Sequence, residues 1–301
     1  MLRLKEFIAP LSILFCCAAP FETAAETLTI GTLTEGIREQ MKIYEPLANH
    51  LEANLQDVGV TEVRVMMLPS SDQMARAMGR GEVDVFFDSA LVAAKVAQNS
   101  GASPFMRNWK NGRNSDHSVI VVRADSGIET LFDLRGQRIA FEEPDSTTGF
   151  LLPAHIISEH GISLSEIRSF EAPPASDEIG YIFTTNDKNS IYMLAIGRVD
   201  AAATNPEGFS LLQTVRPEEF RVIASSQSVP SQVLLTRRSL DENLVNRMRE
   251  ELSGLFRTTE GRAVLKAFHN SAGFDEFPSG SKAAFTPIYH ILEDLQRAGI
   301  N

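Results

Sequence analysis

Four small residues, Ser146-Thr147-Thr148-Gly149, separate an acidic turn from an apolar stretch in "FEEPDSTTGFLLPAHIISEHG" (141–161). A helix that begins near Gly149 leaves its first N–H groups without intrahelical partners and carries a partial positive charge at that end. The three residues before the glycine add hydroxyl donors, and the glycine lets the backbone approach a bound group closely. The motif is therefore either a helix cap or a site for a tetrahedral oxyanion that requires no Lys or Arg.

Two other predicted helix starts carry residues of the same kind. Asp88 and Ser89 follow the apolar run "DVFF", and Asp187, Asn189 and Ser190 surround the start of "NSIYML". Each set can cap its helix or contact a ligand. Asp88 would repel a fully ionised oxyanion, so it would have to accept a hydrogen bond from a protonated ligand oxygen or pair with a ligand amine.

His117 and Ser118 are further candidates, in the segment "SDHSVIVV". A single His is more often a polar surface or core residue than a ligand contact, but these two lie where the two halves of the chain are expected to meet. Asp84 in "GEVDV" and Asp200 in "GRVDA" are interpreted as matching acids at strand edges and not as a catalytic pair.

Catalytic and metal-binding motifs are absent from the sequence. It has no glycine-rich phosphate loop ending in Gly-Lys-Ser/Thr, no nucleophile elbow and no HExxH motif, and its six His residues show no metal-ligand spacing. We therefore predict a protein that is not an enzyme and that has no cofactor and no metal.

The elements that must position these residues alternate between strands and helices. The segments "TLTIGTL", "EVRVMMLP" and "EVDVFFD" predict strands with helices between them, and "HSVIVVR", "QRIAFEE" and "VDAAATN" begin a second series. Such alternation predicts parallel sheets with right-handed crossovers. Two series joined by strands predict two lobes with a cleft between them, and ligands of such sheets bind beyond the carboxyl ends of the strands.

Charge and composition exclude one class of partner. The chain of 301 residues is 43% hydrophobic, 22% charged and has a formal net charge of −11, which is typical of a folded acidic protein. A nucleic-acid surface needs clustered Lys and Arg, and no such cluster is present. We predict no nucleic-acid partner.

The N-terminus has the pattern of an export signal. Arg3 and Lys5 precede an apolar stretch at 7–19, and small residues follow up to Ala25. This order is typical of a secretory signal peptide spanning 1–25, and the stretch is too short for a membrane span.

Both cysteines of the chain, Cys16 and Cys17, fall inside this signal. A lipoprotein would retain one of them as an acylated anchor, but Phe15 is bulky where lipid attachment favours a small residue. Cleavage after Ala25 would leave a mature chain without cysteine, which excludes disulfides, thiolate metal sites and cysteine nucleophiles.

The chain resembles the periplasmic phosphate/phosphite/phosphonate-binding proteins of ABC importers, a branch of the type II periplasmic binding proteins. The resemblance covers nearly all of the predicted mature chain. It is strongest in "YEPLANHL", "GEVDVFF", "HSVIVVRADSGIETLFDLRGQRIAFEEPDSTTGFLLP", "GRVDAAA" and "TTEGRAVLKAF". The long central block is the specific part, because its strand, turn, "DLRG", second strand and "STTGF" occur in the family's order and spacing.

The resemblance implies an α/β fold of two Rossmann-like lobes joined by two crossing strands. Lobe 1 would comprise residues 26–117 plus 230–301, and lobe 2 residues 118–229. The ligand-binding set would be drawn from the candidates above, namely Ser146, Thr147, Thr148, Gly149, Asp88, Ser89, His117, Ser118, Asp187, Asn189 and Ser190. The family pattern usually has a Tyr near Asp116 or His117, and this chain lacks it.

Three functions follow as hypotheses. The first is a monomeric periplasmic receptor that closes around phosphate, phosphite or a phosphonate and delivers it to an ABC transporter permease. The second is a sensory subunit that presents the ligand-bound form to a membrane histidine kinase. The third, a secreted hydrolase of phosphorus esters, is disfavoured because no nucleophile, base or metal set is visible.

Processing of the N-terminus can be tested directly. We expect the exported protein to begin at Glu26 and to carry no lipid, since small residues occupy the predicted cleavage site. Intact-mass spectrometry of the protein from a periplasmic extract measures this. An acylated cysteine at the N-terminus would contradict the prediction.

Overall fold

The computed structural model describes residues 26–34, 36–167 and 173–300. The predicted export signal lies outside these ranges. The described strands, in chain order, are β1 (Glu26–Leu33), β2 (Val60–Leu68), β3 (Val85–Asp88), β4 (Ser103–Asn108), β5 (Ser115–Asp116), β6 (Val119–Arg123), β7 (Arg138–Phe141), β8 (Ser163–Glu166), β9 (Glu178–Phe183), β10 (Ala201–Thr204), β11 (Phe220–Ser225), β12 (Val229–Pro230), β13 (Gln232–Thr236) and β14 (Phe274–Asp275).

The α-helices of the same ranges lie between and after these strands. They are α1 (Ile37–Asn54), α2 (Ser71–Gly79), α3 (Ala90–Ser100), α4 (Leu152–Glu159), α5 (Asp187–Ala195), α6 (Pro206–Val215), α7 (Glu242–Gly254), α8 (Thr259–Ala267) and α9 (Ser281–Arg297). A π-helical turn, Thr147–Leu151, leads into α4. Within the described ranges, no helix has the length and apolarity needed to cross a bilayer.

Two six-stranded sheets organise the chain, with strand orders β14-β4-β13-β3-β1-β2 and β11-β6-β10-β7-β9-β8. The strands predicted to run in parallel do so, since β1 is parallel to both β2 and β3, and β7 is parallel to both β9 and β10. Each sheet also contains antiparallel strands, because β13 and β6 carry the chain between the lobes and run against their neighbours. The prediction of parallel sheets therefore holds for these strands, whereas one side of each sheet is antiparallel.

The lobes are joined by two short strands. β5 and β12 pair antiparallel, Asp116 opposite Val229 and Ser115 opposite Pro230, and form a ladder separate from both large sheets. The chain enters the second sheet through β5 and β6 and returns to the first through β12 and β13. The predicted fold class, two α/β lobes joined by two crossing strands, is confirmed.

The C-terminal helix α9 connects the two lobes on another side. Phe285, Ile288, Ile291 and Leu295 form its buried face, and the helix packs against α3 of lobe 1 and α4 of lobe 2. His155 Nε2 of α4 lies 3.2 Å from Asp294 Oδ2 of α9. The resemblance implies that 230–301 belongs to lobe 1, whereas α9, which lies in this range, contacts both lobes.

Asp84 and Asp200 occupy equivalent places in the two sheets, as predicted. Asp84 accepts a hydrogen bond from Thr29 N at 2.7 Å, and Asp200 accepts one from Arg138 N at 3.0 Å. In return, the Asp84 N–H donates to the Thr29 carbonyl and the Asp200 N–H donates to the Arg138 carbonyl, each at 2.9 Å. They therefore fix the starts of β3 and β10 against the neighbouring parallel strands β1 and β7, at the opposite end from the cleft.

This pairing predicts unequal costs for two matched substitutions. Asp84 is buried and also pairs with Arg237 Nε at 2.5 Å, so Asp84→Ala leaves the half-buried Arg237 with only its longer ion pair to Glu26 at 3.9 Å. We expect Asp84→Ala to lower the free energy of unfolding by about 3 kcal/mol or more. Asp200→Ala removes hydrogen bonds alone and should cost about 1–2 kcal/mol. Urea denaturation of both variants measures the difference, and equal costs would contradict the assigned role of Arg237.

Candidate functional site

A cavity of about 850 Å³ lies between the two lobes. The carboxyl ends of four strands reach it: β1 through Thr32 and Leu33, β3 through Phe87 and Asp88, the residues after β7 beginning at Glu142, and β10 through Thr204. This is the position at which open α/β sheets bind ligands. The geometry of the fold therefore makes this cavity the candidate site.

Four helix N-termini converge on the cavity. They belong to α3, the π-helical turn before α4, α5 and α6, and residues 89, 147–149, 187–188 and 206–208 line the wall. Each start presents unpaired backbone N–H groups and a partial positive charge. A site of this kind attracts a negatively charged ligand group without a basic side chain.

Three of these helices carry their own caps. The side chains of Ser146, Asn186 and Asn205 accept hydrogen bonds, each at 2.9 Å, from the amides of the residues three positions later. The N-cap of α5 is thus Asn186, and the expectation that Asp187, Asn189 or Ser190 caps this helix is wrong. Asn186 has extended backbone angles, which the cap position requires, whereas Asp187 already lies in the helix.

The hydroxyl-rich turn divides its residues between distinct tasks. Ser146 Oγ accepts from Gly149 N and donates to Glu142 Oε2 at 2.5 Å, so its hydroxyl is fully used within lobe 2. Gly149 must lack a side chain, because a Cβ there would lie 2.5 Å from the Cβ of Glu142. The helix also begins earlier than predicted, at Thr147 and not near Gly149.

Thr147 and Thr148 point to different partners. Thr147 is buried, and its Oγ1 donates to Ser89 Oγ of lobe 1 at 2.8 Å and accepts from Leu91 N at 3.3 Å. Thr148 is half-buried and lines the cavity, and its hydroxyl has no hydrogen-bond partner among the described residues. Ser118 Oγ donates to the Thr148 carbonyl at 2.7 Å and so supports the turn from behind.

Of the eleven predicted ligand-binding residues, seven line the cavity. These are Asp88, Ser89, Ser146, Thr147, Thr148, Gly149 and Asp187. The structure places the other four behind or beside it. Ser118 and Ser190 are buried, the latter with its Oγ 2.6 Å from Thr184 Oγ1, and the Asn189 side chain donates to the Thr184 carbonyl. His117 lines a separate depression of about 520 Å³ near the connecting ladder.

Two further cavity residues escaped the sequence analysis. Lys110 follows β4 in a loop with no recognisable motif, and it makes no ion pair with any residue that the structure describes. Thr204 ends β10, is buried, and its Oγ1 has no hydrogen-bond partner within the described ranges. A Cβ at Gly208 would lie 2.1 Å from this hydroxyl, so the glycine allows α6 to approach it. The only sequence signal for Thr204 is that a buried strand ends on a hydroxyl residue.

Acidic side chains outnumber basic ones around the cavity. The acids are Asp88, Asp116, Glu142, Glu143, Asp145, Asp187 and Glu207, and the bases are Lys110, Arg113 and Lys188. Arg113 is already paired with Asp116 at 3.6 Å and Glu207 at 3.1 Å. The carboxylates thus offset the positive potential of the helix ends. The cavity therefore suits a ligand that carries a neutral or positive group as well as a negative one.

Two cavity residues have shifted pKa values. Burial raises the pKa of Asp116, against the opposing attraction of Arg113 and Lys110, so this carboxyl holds a proton to higher pH than usual. Burial, helped by the nearby charge of Lys110, lowers the pKa of His269 to about 3. The His269 ring packs edge-on against Tyr44 and Phe268 and is neutral at physiological pH. Across the described ranges no cluster of three or more His, Cys, Asp or Glu is suited to a metal ion.

The fold and the cavity define a two-lobed ligand-binding protein of the type II periplasmic class. Residues 31–279 match the family model described as "ABC transporter, phosphonate, periplasmic substrate-binding protein", and the chain belongs to this family.

Individual relatives agree with this assignment. The chain is 25% identical over 291 residues to the phosphonates-binding periplasmic protein of Escherichia coli, covering 93% of this chain and 80% of that protein. XAC2383 from Xanthomonas citri, solved with chloride bound, has a TM-score of 0.83 at 24% identity over 90% of this chain and 98% of its own. PhnD1 from Prochlorococcus marinus, in complex with methylphosphonate, has a TM-score of 0.68 at 14% identity over 90% and 98%. The two solved structures share the fold.

The lowered pKa of His269 predicts a pH-dependent stability. The unfolded chain binds a proton at His269 near pH 6.5 and the folded chain only near pH 3, so the folded state loses stability as pH falls through this window. We expect a contribution to the slope of at most about 1.4 kcal/mol per pH unit. His269→Asn keeps a residue that tolerates the positive φ of 52° at this position. Urea denaturation between pH 3.5 and pH 7 should show a smaller slope for this variant, and an unchanged slope would contradict the prediction.

Proposed function

We propose that this protein captures an organic phosphonate in the cleft between its lobes and delivers it to an ABC transporter permease. The observation that carries the proposal is the convergence of four helix N-termini on one cavity at the carboxyl ends of the strands. This arrangement offers hydrogen-bond donors and positive potential to the phosphonate oxygens.

The phosphonate group would lie against the start of the π-helical turn. The backbone N–H groups of Thr147 and Thr148 begin this helix, where no intrahelical acceptor exists, and the Thr148 hydroxyl lies in the same wall. Lys110 lines the same cavity. Together these groups would supply donors and one mobile positive charge.

The acidic residues of the cavity support a ligand with a second kind of group. Asp88 accepts hydrogen bonds from Ser89 N at 2.7 Å and Ser89 Oγ at 3.1 Å, and it lines the cavity from lobe 1. A carboxylate there would repel a dianion but would stabilise a ligand ammonium or a protonated phosphonate oxygen. The volume of about 850 Å³ is large for inorganic phosphate, which supports a ligand with an organic substituent.

Delivery to a permease fits a family whose members serve importers. Transport and presentation to a sensor kinase predict different phenotypes. If the protein serves an importer, deleting its gene should abolish growth on the bound phosphonate as sole phosphorus source and leave growth on phosphate intact. Normal growth of the deletion strain on that phosphonate would contradict the transport role.

Ligand class is tested with the purified protein. We expect aminoethylphosphonate and methylphosphonate to raise its Tm, with the amino compound stronger, and phosphate, phosphite and sulfate to have smaller effects. Isothermal titration then gives Kd for each ligand that responds. Tight binding of phosphate with no response to either phosphonate would overturn the proposal.

The contact at the turn predicts the effect of one substitution. Thr148→Val keeps the side-chain shape and removes the hydroxyl. A hydrogen bond to a charged group contributes about 1.5–3 kcal/mol, so the Kd for the phosphonate should rise about 10-fold to 100-fold with Tm of the free protein nearly unchanged.

The matched control is Thr286→Val, on α9, whose hydroxyl donates to the Lys282 carbonyl within its own helix. This variant should bind the phosphonate like the wild type. An unchanged Kd for Thr148→Val would remove Thr148 from the binding site.

A further inference from the structure

Asp145 of lobe 2 caps a helix of lobe 1. Its carboxylate accepts hydrogen bonds from Ser71 Oγ at 2.9 and 3.0 Å and from Ser71 N at 3.3 Å, at the first residue of α2. It also pairs with Lys95 Nζ of α3 at 3.0 Å. Ser71 is buried by this contact, with 4% of its surface exposed. One carboxylate thus contacts two helices of the opposite lobe.

Thr147 makes an equivalent contact two residues later. α3 begins at Ala90, and its N-cap, Ser89, makes no side-chain hydrogen bond to its own helix. The Leu91 amide in the first turn donates instead to Thr147 Oγ1 of lobe 2. Two helices of lobe 1 therefore use side-chain acceptors of lobe 2 in their first turns: α3 in place of a cap of its own, and α2 in addition to its cap Ser70.

We propose that Asp145 and Thr147 form a closure latch, which holds the lobes together and positions the ligand-binding turn against lobe 1. The two latch residues flank Ser146, and Thr147 directly precedes Thr148. The contacts between the lobes and the proposed ligand contact therefore belong to one short segment. The role toward the ligand rests on the proposed function. The latch itself acts in the ligand-free protein.

Burial distinguishes the latch from the ion pair between Arg113 and Glu207. The side chains of Asp145 and Lys95 are 22% and 23% exposed, whereas Arg113 and Glu207, which pair beside the connecting strands, are 35% and 57% exposed. Exposed ion pairs contribute little, because water and salt screen them and long side chains lose entropy. The carboxylate of Asp145 is more shielded and accepts several hydrogen bonds, so it contributes more to closure than the Arg113–Glu207 pair does.

Hydrogen exchange of the ligand-free protein tests the latch. The amides of Ser71 and Leu91 are donors whose acceptors lie on the other lobe, and each belongs to a different half of the latch. Asp145→Ala should accelerate exchange at Leu91, and Thr147→Val should accelerate exchange at Ser71, each by about tenfold or more. If each side chain acts only as a local cap, Asp145→Ala would change exchange at Ser71 alone and Thr147→Val would change exchange at Leu91 alone. That local result would overturn the proposal.

Two controls make the comparison specific. The Gln73 amide donates to Ser70 Oγ inside lobe 1 and should exchange equally in all variants. Glu82→Gln removes an ion pair with Arg80 near the end of α2 without touching lobe 2, and it should leave Ser71 and Leu91 unchanged. Accelerated exchange at Gln73 in Asp145→Ala would show unfolding of α2 and would also overturn the latch.

The role toward the ligand has its own measurement. With the best-binding phosphonate, Asp145→Ala should raise Kd about tenfold, mainly through faster dissociation, while Asp145→Glu should recover part of the affinity. An unchanged dissociation rate for Asp145→Ala would overturn the coupling between latch and ligand. If the wild-type protein binds no phosphonate, the proposed function fails, whereas the exchange experiment still decides the latch.

Discussion

Unpaired backbone N–H groups at helix starts are the constraint on which this structure depends. Each helix that points its N-terminus into the cleft brings donors that need acceptors. Ser146, Asn186 and Asn205 satisfy part of this need within lobe 2. Asp145 and Thr147 satisfy part of it across the cleft. The remaining N–H groups belong to residues that line the cavity. In the proposed function, a bound ligand accepts hydrogen bonds from them.

Charge decides what such a ligand must be. Helix ends and Lys110 favour a negative group, but seven carboxylates line the same cavity, and Arg113 is already paired with two of them. An inorganic dianion would meet the donors and the carboxylates together. A ligand with an anionic end and a neutral or cationic end would meet both requirements, because its anionic end accepts from the helix N–H groups and its other end is not repelled by the carboxylates. Burial of Asp116 adds a group that keeps its proton more readily than an ordinary aspartate.

Much of the fold was predictable from the sequence, since the alternation of strand and helix patterns is local and strong in "TLTIGTL", "EVDVFFD" and "VDAAATN". The antiparallel strands were not, because their direction depends on where the chain crosses between lobes. In the site, the kind of residue was predictable and its task was not. Ser146, Thr147 and Thr148 have interchangeable hydroxyls in sequence, yet one caps its own helix, one reaches the other lobe and one faces the cavity. Lys110 has no local signal, because only tertiary structure brings it to the cleft.

The short segment 145–148 explains why binding and closure need not be separate events. Asp145 and Thr147 supply acceptors to two helix starts of lobe 1, and Thr148 offers a donor that the described part of the protein leaves unused. A ligand bound at Thr148 would restrict the motion of the same backbone that carries both latch side chains. Restricting that backbone lowers the entropy cost of forming the latch contacts, and forming those contacts lowers the cost of holding the ligand. The coupling is reciprocal because one segment carries both sets of interactions.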